Sequence, residues 1–163
     1  MIVREATEAD WEQMLQILRE VVDDGATYGW PPDITDAELR HMWLGQPGWR
    51  TIVATDDAGS VLGFADYGPN RIGRGAHVAN ASFVVGAAAR GRGVGRRLGE
   101  EVIVRAAADG FCAMQFNAVV ETNTRAVALW TSLGFQIVGT VPQAFDDPEH
   151  GLVGLHVMHR FLA

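Results

Sequence analysis

Apolar and polar positions alternate along this chain with two periods, one near four residues and one near two, and the change of period marks out its elements. Thr7 followed by Asp10 has the spacing of a capping box, and Trp11, Met14, Leu15, Leu18, Val21 and Val22 then recur at helical spacing, which predicts an amphipathic helix over residues 7–23. After YGWPPDI a second box, Thr35 with Glu38, opens a short helix whose buried side carries Leu39, Met42 and Trp43. RTIVAT and SVLGFADYG flank DDAG, whose Asp and Gly residues suit a tight connection, so the two read as an antiparallel hairpin. HVANASFVV is apolar enough for a central strand, and a helix from about Gly91 to Asp109, stopped by Gly110, follows it. CAMQFNAVV is another buried strand. TNTRAVALWTSLG is a helix with Ala126, Leu129, Trp130 and Leu133 on one side and Gly134 as its stop, and FQIVGTV and GLVGLHVMHRFL close the chain as strands.

The order is strand, two helices, three strands, helix, strand, helix, two strands. That order predicts an α/β fold: a mixed sheet of about six to seven strands with helices on both faces. With no repeat, low-complexity segment or interior linker, residues 1–163 read as a single domain, long enough to bury a core without metals or cross-links.

Composition narrows the function classes. At 48% hydrophobic and 20% charged residues the chain is an average globular one, and its longest uncharged run, Gly75 to Ala89, is too short to span a bilayer and contains His77, Asn80 and Ser82. A net charge of -7, from 20 acidic and 13 basic residues, repels a nucleic acid backbone, so neither nucleic acid nor membrane is expected as a partner. Cys112 is the only cysteine, and MIVREATEADW carries acids where a secretory signal needs a basic end and an apolar core, so a cytoplasmic location is expected. The five histidines show no metal-ligand spacing, and no metal is expected.

Chemistry concentrates in ARGRGVGRRL, Ala89 to Leu98, where Gly91, Gly93 and Gly95 alternate with arginines directly after a strand. Every basic residue is arginine, and seven of them lie between Arg71 and Arg105. These can be solvated surface charges, or they can gather a small anion. A strand, a glycine-rich turn and then a helix aim backbone N–H groups at an anion, helped by the positive end of the helix dipole. A P-loop would need lysine and then Ser or Thr after its last glycine, where this chain has Arg96 and Arg97. Both dinucleotide-fingerprint registers fail as well, at Arg96 and at Leu98.

Arg-x-x-Gly-x-Gly, Arg90 to Gly95, resembles the pyrophosphate loop of the GCN5-related N-acetyltransferases (GNAT), and NTRAVALWTSLGF, Asn123 to Phe135, is similar to that family's later helix with its Gly-Phe ending. The resemblance covers most of the chain. It implies a fold in which acetyl-CoA lies between two parallel strands that splay apart, here His77–Val85 and Cys112–Val120. It implies that the main-chain N–H groups of Arg90, Gly91, Arg92, Gly93, Val94, Gly95 and Arg96 hold the pyrophosphate. Phe83, Val84 and Val85 would line the pantetheine arm, and an N–H near Val84 or Val85 would polarise the thioester carbonyl, a contribution of roughly 3–4 kcal/mol for one donor. Asn123 stands at a frequent cofactor-contacting asparagine and also suits a helix cap. Trp130 replaces a tyrosine whose hydroxyl is proposed to protonate the departing thiolate, so that acid is missing here; an ordinary core aromatic is the alternative role. Homodimers are frequent in the family.

Asn80 and Asn117 each interrupt an otherwise apolar strand, and a buried amide without partners costs about 1–3 kcal/mol, so each needs a ligand or an internal polar network. HVANA and FNAVVETN resemble segments of the proline-analogue (azetidine-2-carboxylate) acetyltransferases, which share the tryptophan at 130. That resemblance implies acceptor contacts from Asn80 and Asn117, with Tyr28 and Trp30 of ATYGWPPD as pocket walls or packing residues. For the base that takes the acceptor's proton, Glu121 is the first candidate and His77 the second. The expected activity is acetyl-CoA-dependent N-acetylation of a small amine. A protein or peptide acetyltransferase and a non-catalytic acyl-CoA sensor are the alternatives.

Overall fold

A computed structural model describes residues 1–162 of the chain. Its elements are β1 (Ile2–Glu5), α1 (Trp11–Asp24), α2 (Asp36–Leu44), β2 (Arg50–Thr55), β3 (Val61–Pro69), β4 (Val78–Val85), α3 (Val94–Ala108), β5 (Ala113–Val120), α4 (Thr124–Ser132), β6 (Gln136–Asp147) and β7 (Gly151–Phe161). The strands form one seven-stranded sheet in the order β1-β2-β3-β4-β5-β7-β6. Every neighbouring pair is antiparallel except β4 with β5.

The local signals act as chemistry requires. At the start of α2 the Glu38 N–H donates to Thr35 Oγ1 (3.2 Å) while the Thr35 N–H donates to Glu38 Oε2 (2.8 Å), a reciprocal box that satisfies two N–H groups of the first turn. The box of Thr7 and Asp10 closes a single 3-10 turn, Glu8–Asp10, so the first α-helix proper begins at Trp11.

Two boundaries differ from the sequence reading. The third helix begins at Val94 rather than near Gly91, because Gly91 and Gly93 stand at φ 77° and 79°, the left-handed region that ends helical geometry. β6 continues past Val141 through the polar PQAFDD to Asp147. As an edge strand it tolerates Pro142, and the irregularity is absorbed by a register shift between Val141 and Phe145, with Gln143 at φ 50°.

Alternate sheet positions feed two cores. On one face Tyr67, Met114 and Phe116 pack beneath α3 and α4 with Leu98, Val102 and Trp130. On the other Val53, Phe64 and Val84 meet Met14, Leu18 and Trp43 of α1 and α2. Full burial of one such side chain contributes roughly 1.5–3 kcal/mol, so both helix layers clamp the sheet.

β4 and β5 pair only at Val78 with Ala113 and Ala79 with Met114. Beyond that point they diverge, and β5 continues along β7 instead. The edge of β4 from Asn80 onward is thereby left open between the two helix layers.

Candidate active site

The sheet register decides which groups of β4 reach the opening. The Ser82 N–H donates to Asp66 Oδ1 on β3 (3.0 Å) and the Gly86 N–H donates to the Leu62 carbonyl (3.0 Å), so both point toward β3. Amide directions alternate along a strand. The amides of Ser82, Val84 and Gly86 therefore face β3, and those of Ala81, Phe83 and Val85 face the opening. This corrects the expectation for Val84, whose amide is turned into the sheet and whose side chain is 3% exposed. Phe83 and Val85 present theirs to the cleft.

Tyr28, from the segment between α1 and α2, reaches this edge. Its hydroxyl accepts from the Phe83 N–H and donates to the Phe83 carbonyl, each at 3.1 Å. The ring is stacked on Trp30 (centroids 4.3 Å, planes 6° apart), and Trp30 meets Trp43 edge-on at 6.5 Å. Trp30 is thus a second-row packing residue that fixes the Tyr28 ring; it does not line the cleft. Burial, with the Asp66 carboxylate nearby, pushes the Tyr28 pKa well above the ordinary phenol value, so the hydroxyl stays protonated.

The inner cleft is a cavity of about 300 Å³ whose walls include Tyr28, Asn80, Ser82, Phe83, Asn117 and Trp130. It opens into an outer cleft of about 870 Å³ that runs to Gly91, Gly93 and Arg96. Asn80 Oδ1 accepts from the Ala81 N–H (2.9 Å), which leaves its NH2 without a partner among the described residues. Asn117 is held at both ends: Gln115 Nε2 donates to its Oδ1 (2.8 Å) and its Nδ2 donates to Asn70 Oδ1 (2.7 Å). Both asparagines line the cleft, but Asn117 also belongs to an internal polar network. Asn123 lines it too while capping α4, its Oδ1 accepting from the Ala126 N–H at 3.2 Å. Trp130 is 7% exposed and packs on Phe83 and Phe116 at centroid distances of 4.6 and 4.9 Å, a core aromatic with one edge on the cavity.

Neither candidate base is in the cleft. Glu121 lies exposed on the turn after β5, and its carboxylate accepts the N–H of Gly154, because β7 runs alongside β5 at that point. His77 sits exposed before β4, at the end away from the splay, with Nδ1 3.1 Å from the Arg74 carbonyl. The sequence reading missed Asn70, Asp66 and the Ser82 side chain. The only trace of the last two is a polar residue inside each of two apolar strands. Asp66 is 4% exposed, and burial raises its pKa from 3.8 to about 7.

The glycine-arginine loop presents a row of unpaired amides. The Arg90 N–H donates to the Ala87 carbonyl and the Arg92 N–H to the Ala89 carbonyl, both at 3.3 Å, so these two amides are engaged in the turn. Those of Gly91, Gly93, Val94, Gly95 and Arg96 have no acceptor among the described residues, and the first helical bond is Arg97 N–H to the Gly93 carbonyl. Five free amides at the positive end of a 15-residue helix fit a diphosphate. Among the described residues no group of three or more His, Cys, Asp or Glu is placed to hold a metal, and no helix is long and apolar enough to cross a membrane.

A splayed parallel strand pair, with a row of free amides at the mouth of the gap and a small cavity within it, is the frame of an acyltransferase. The chain matches the model of the acetyltransferase (GNAT) family over residues 11–135 and belongs to that family of N-acetyltransferases. It is 34% identical over 145 residues to an L-methionine sulfoximine/L-methionine sulfone acetyltransferase of Pseudomonas aeruginosa, covering 86% of this chain and 83% of that protein. Among solved structures, a GCN5-related N-acetyltransferase from Kribbella flavida is 57% identical with a TM-score of 0.95, covering 98% of this chain and 96% of that one. A phosphinothricin acetyltransferase from Sinorhizobium meliloti in complex with AcCoA is 27% identical with a TM-score of 0.88, covering 99% of this chain and 88% of that one.

Proposed function

We propose that the protein transfers the acetyl group of acetyl-CoA to the nitrogen of a small amino or imino acid analogue. The observation that carries this reading is the inner cavity of about 300 Å³, with the free NH2 of Asn80 on its wall and the five-amide cradle at its mouth. Acetyl-CoA, when bound, supplies an acyl group activated as a thioester. The cradle from Gly91 to Arg96 would hold its diphosphate. The amides of Phe83 and Val85 would face the arm, and the Val85 N–H would be the donor to the thioester oxygen. Asn80 orients the acceptor. Trp130 offers no acid, but a thiol titrates only one to two units above neutrality, so thiolate departure needs no strong one.

Two observations favour a small acceptor over a peptide. The segment between α1 and α2 is roofed by β6, where a Cβ on Gly29 would lie 3.4 Å from the Phe145 ring. The cavity of about 300 Å³ is also at the lower end of small-molecule sites. The relatives acting on methionine sulfoximine and phosphinothricin support an amino-acid analogue. A cyclic imino acid such as azetidine-2-carboxylate is the sharper form of the reading. A thiol-release assay over azetidine-2-carboxylate, methionine sulfoximine, phosphinothricin and lysine peptides tests it: turnover is expected among the first three, and turnover of peptides alone would overturn it. A homodimer in the cytoplasm completes the reading, and sedimentation tests the assembly.

A further inference from the structure

A small amine reaches its acceptor site largely as an ammonium, and one proton has to leave it before or during attack. The walls of the inner cavity carry no carboxylate, imidazole or guanidinium; Tyr28 is the one ionisable group on them, and it is locked as a neutral phenol. A buried carboxylate stands behind the wall. Asp66 on β3 is the register partner of Ser82 on β4, so their side chains stand on the same face of the sheet. That face is the one that Asn80, two residues before Ser82, also occupies. The Ser82 N–H donates to Asp66 Oδ1 at 3.0 Å, and the Ser82 side chain stands beside Asp66 and Tyr28.

We propose that Asp66 is the proton acceptor for the incoming amine, reached through the Ser82 hydroxyl that forms the cavity wall in front of it. The proposal rests on the acetyl-transfer reading. The acceptor nitrogen forms its bond to the acyl carbon, and the carbon–sulfur bond breaks with its electron pair going to sulfur. Before attack the ammonium passes one proton to Ser82 Oγ as that hydroxyl passes its own to the Asp66 carboxylate, which frees the nitrogen lone pair. As the carbon–sulfur bond breaks, the nitrogen's second proton leaves to solvent and sulfur takes one from solvent; Asp66 returns its proton to solvent when the products leave, so one proton is released per turnover and charge balances.

The surroundings suit a base that works near neutrality. Asp66 is 4% exposed, and its burial raises the carboxyl to about 7. Of the elements packed on it, β2 places Thr51 opposite, β4 places Ser82, and the segment between α1 and α2 brings the Tyr28 phenol. No cation pulls its pKa back down. A carboxylate kept only to balance a fixed charge would have such a partner.

The test is kcat/KM for the acceptor against pH, with acetyl-CoA saturating, for the full chain and for Asp66→Asn, Ser82→Ala and Ser82→Thr. The native chain should show a rising limb through pH about 7 that stays in place when the acceptor is exchanged for one of different basicity. Asp66→Asn should remove that limb and lower the rate about 100-fold or more. Ser82→Ala should cost about as much with coenzyme A affinity unchanged by calorimetry, and Ser82→Thr should recover most of the loss. A limb intact in Asp66→Asn, or Ser82→Ala within about threefold of native, overturns the proposal while leaving the acetyl-transfer reading standing. No turnover by the native chain on any amine overturns both. Independently of turnover, a carbon-13 carboxyl titration should show one aspartate ionising near pH 7 that is missing in Asp66→Asn; ionisation of Asp66 near 4 overturns the proposal by itself.

Discussion

The Tyr28 hydroxyl sits 3.1 Å from both the amide nitrogen and the carbonyl oxygen of Phe83, closing with one group the hydrogen bonds that a neighbouring strand would otherwise make. In the proposed reaction the Phe83 N–H would also pair with the arm of the cofactor. The two uses compete. Removing the hydroxyl in Tyr28→Phe should therefore strengthen acetyl-CoA binding about fivefold, the equivalent of one net hydrogen bond of about 1 kcal/mol. Calorimetry with acetyl-CoA in the absence of acceptor checks it, and weaker binding would show that the hydroxyl assists the cofactor instead.

The cradle gives a sharper contrast. Gly93 has φ 79° and open space where a Cβ would stand. Gly93→Ala meets no clash and should cost only the left-handed strain of about 1–2 kcal/mol, a fall in melting temperature of a few degrees. Gly93→Glu adds to the same strain a carboxylate aimed at the bound diphosphate. Coenzyme A affinity should drop about 100-fold or more in Gly93→Glu with a melting temperature close to that of Gly93→Ala. Similar affinities for the two variants would take the diphosphate away from this loop.

Asn80 and Asn117 look equivalent in the sequence and are not equivalent in the fold. Asn117 joins Gln115 to Asn70, whereas Asn80 leaves its NH2 toward the cavity. Asn80→Ala should raise the acceptor KM about tenfold and leave the melting temperature within a degree or two. Asn117→Ala should strand two polar groups and cost about 1–3 kcal/mol, read as a lower midpoint in urea. Equal loss of stability in both variants would mean that Asn80 too is a structural amide.

What was legible in the chain and what was not divides along sequence distance. Capping boxes, helical spacing and the glycine loop are local, and each is expressed within a few residues of where the sequence predicts it. The direction of an amide on β4 depends on its register with β3, which no local pattern carries. So the reading reached residues 83–85 but left the donor open between Val84 and Val85, and the Val84 amide faces the sheet. Glu121 misled for the same reason: its neighbour in space is Gly154, 33 positions on. The partner of Asn117 lies 47 positions away at Asn70, and Asp66 gains its meaning only from standing opposite Ser82.

Two buried carboxylates should give the stability of this protein opposite dependences on pH. Asp10 is paired with Arg4 at 2.6 Å and accepts the Thr7 N–H at 2.7 Å; the hydrogen bond from Arg4 comes first among the causes that lower its pKa from 3.8 to about 2. The unfolded chain then holds more protons than the folded one between those values, so the stabilisation is complete above pH 4 and is lost as pH falls through 2. Its size is on the order of 1 kcal/mol once solvent screening of the half-exposed Arg4 is allowed for. Asp66 behaves in the reverse way: burial raises it to about 7, the folded chain holds the extra proton, and stability falls as pH rises from 4 to 7. Urea midpoints measured from pH 3 to 8 should therefore pass through a maximum on the acidic side of neutrality. Asp66→Asn, which cannot ionise, should flatten the limb above the maximum and leave the acid limb in place, whereas Asp10→Asn should weaken the acid limb, to which Asp147, held low by Thr122 and then His150, also contributes, and leave the upper limb in place. A native curve that rises from pH 4 to 7 and is unchanged by Asp66→Asn would mean that Asp66 is ionised in the fold throughout that range.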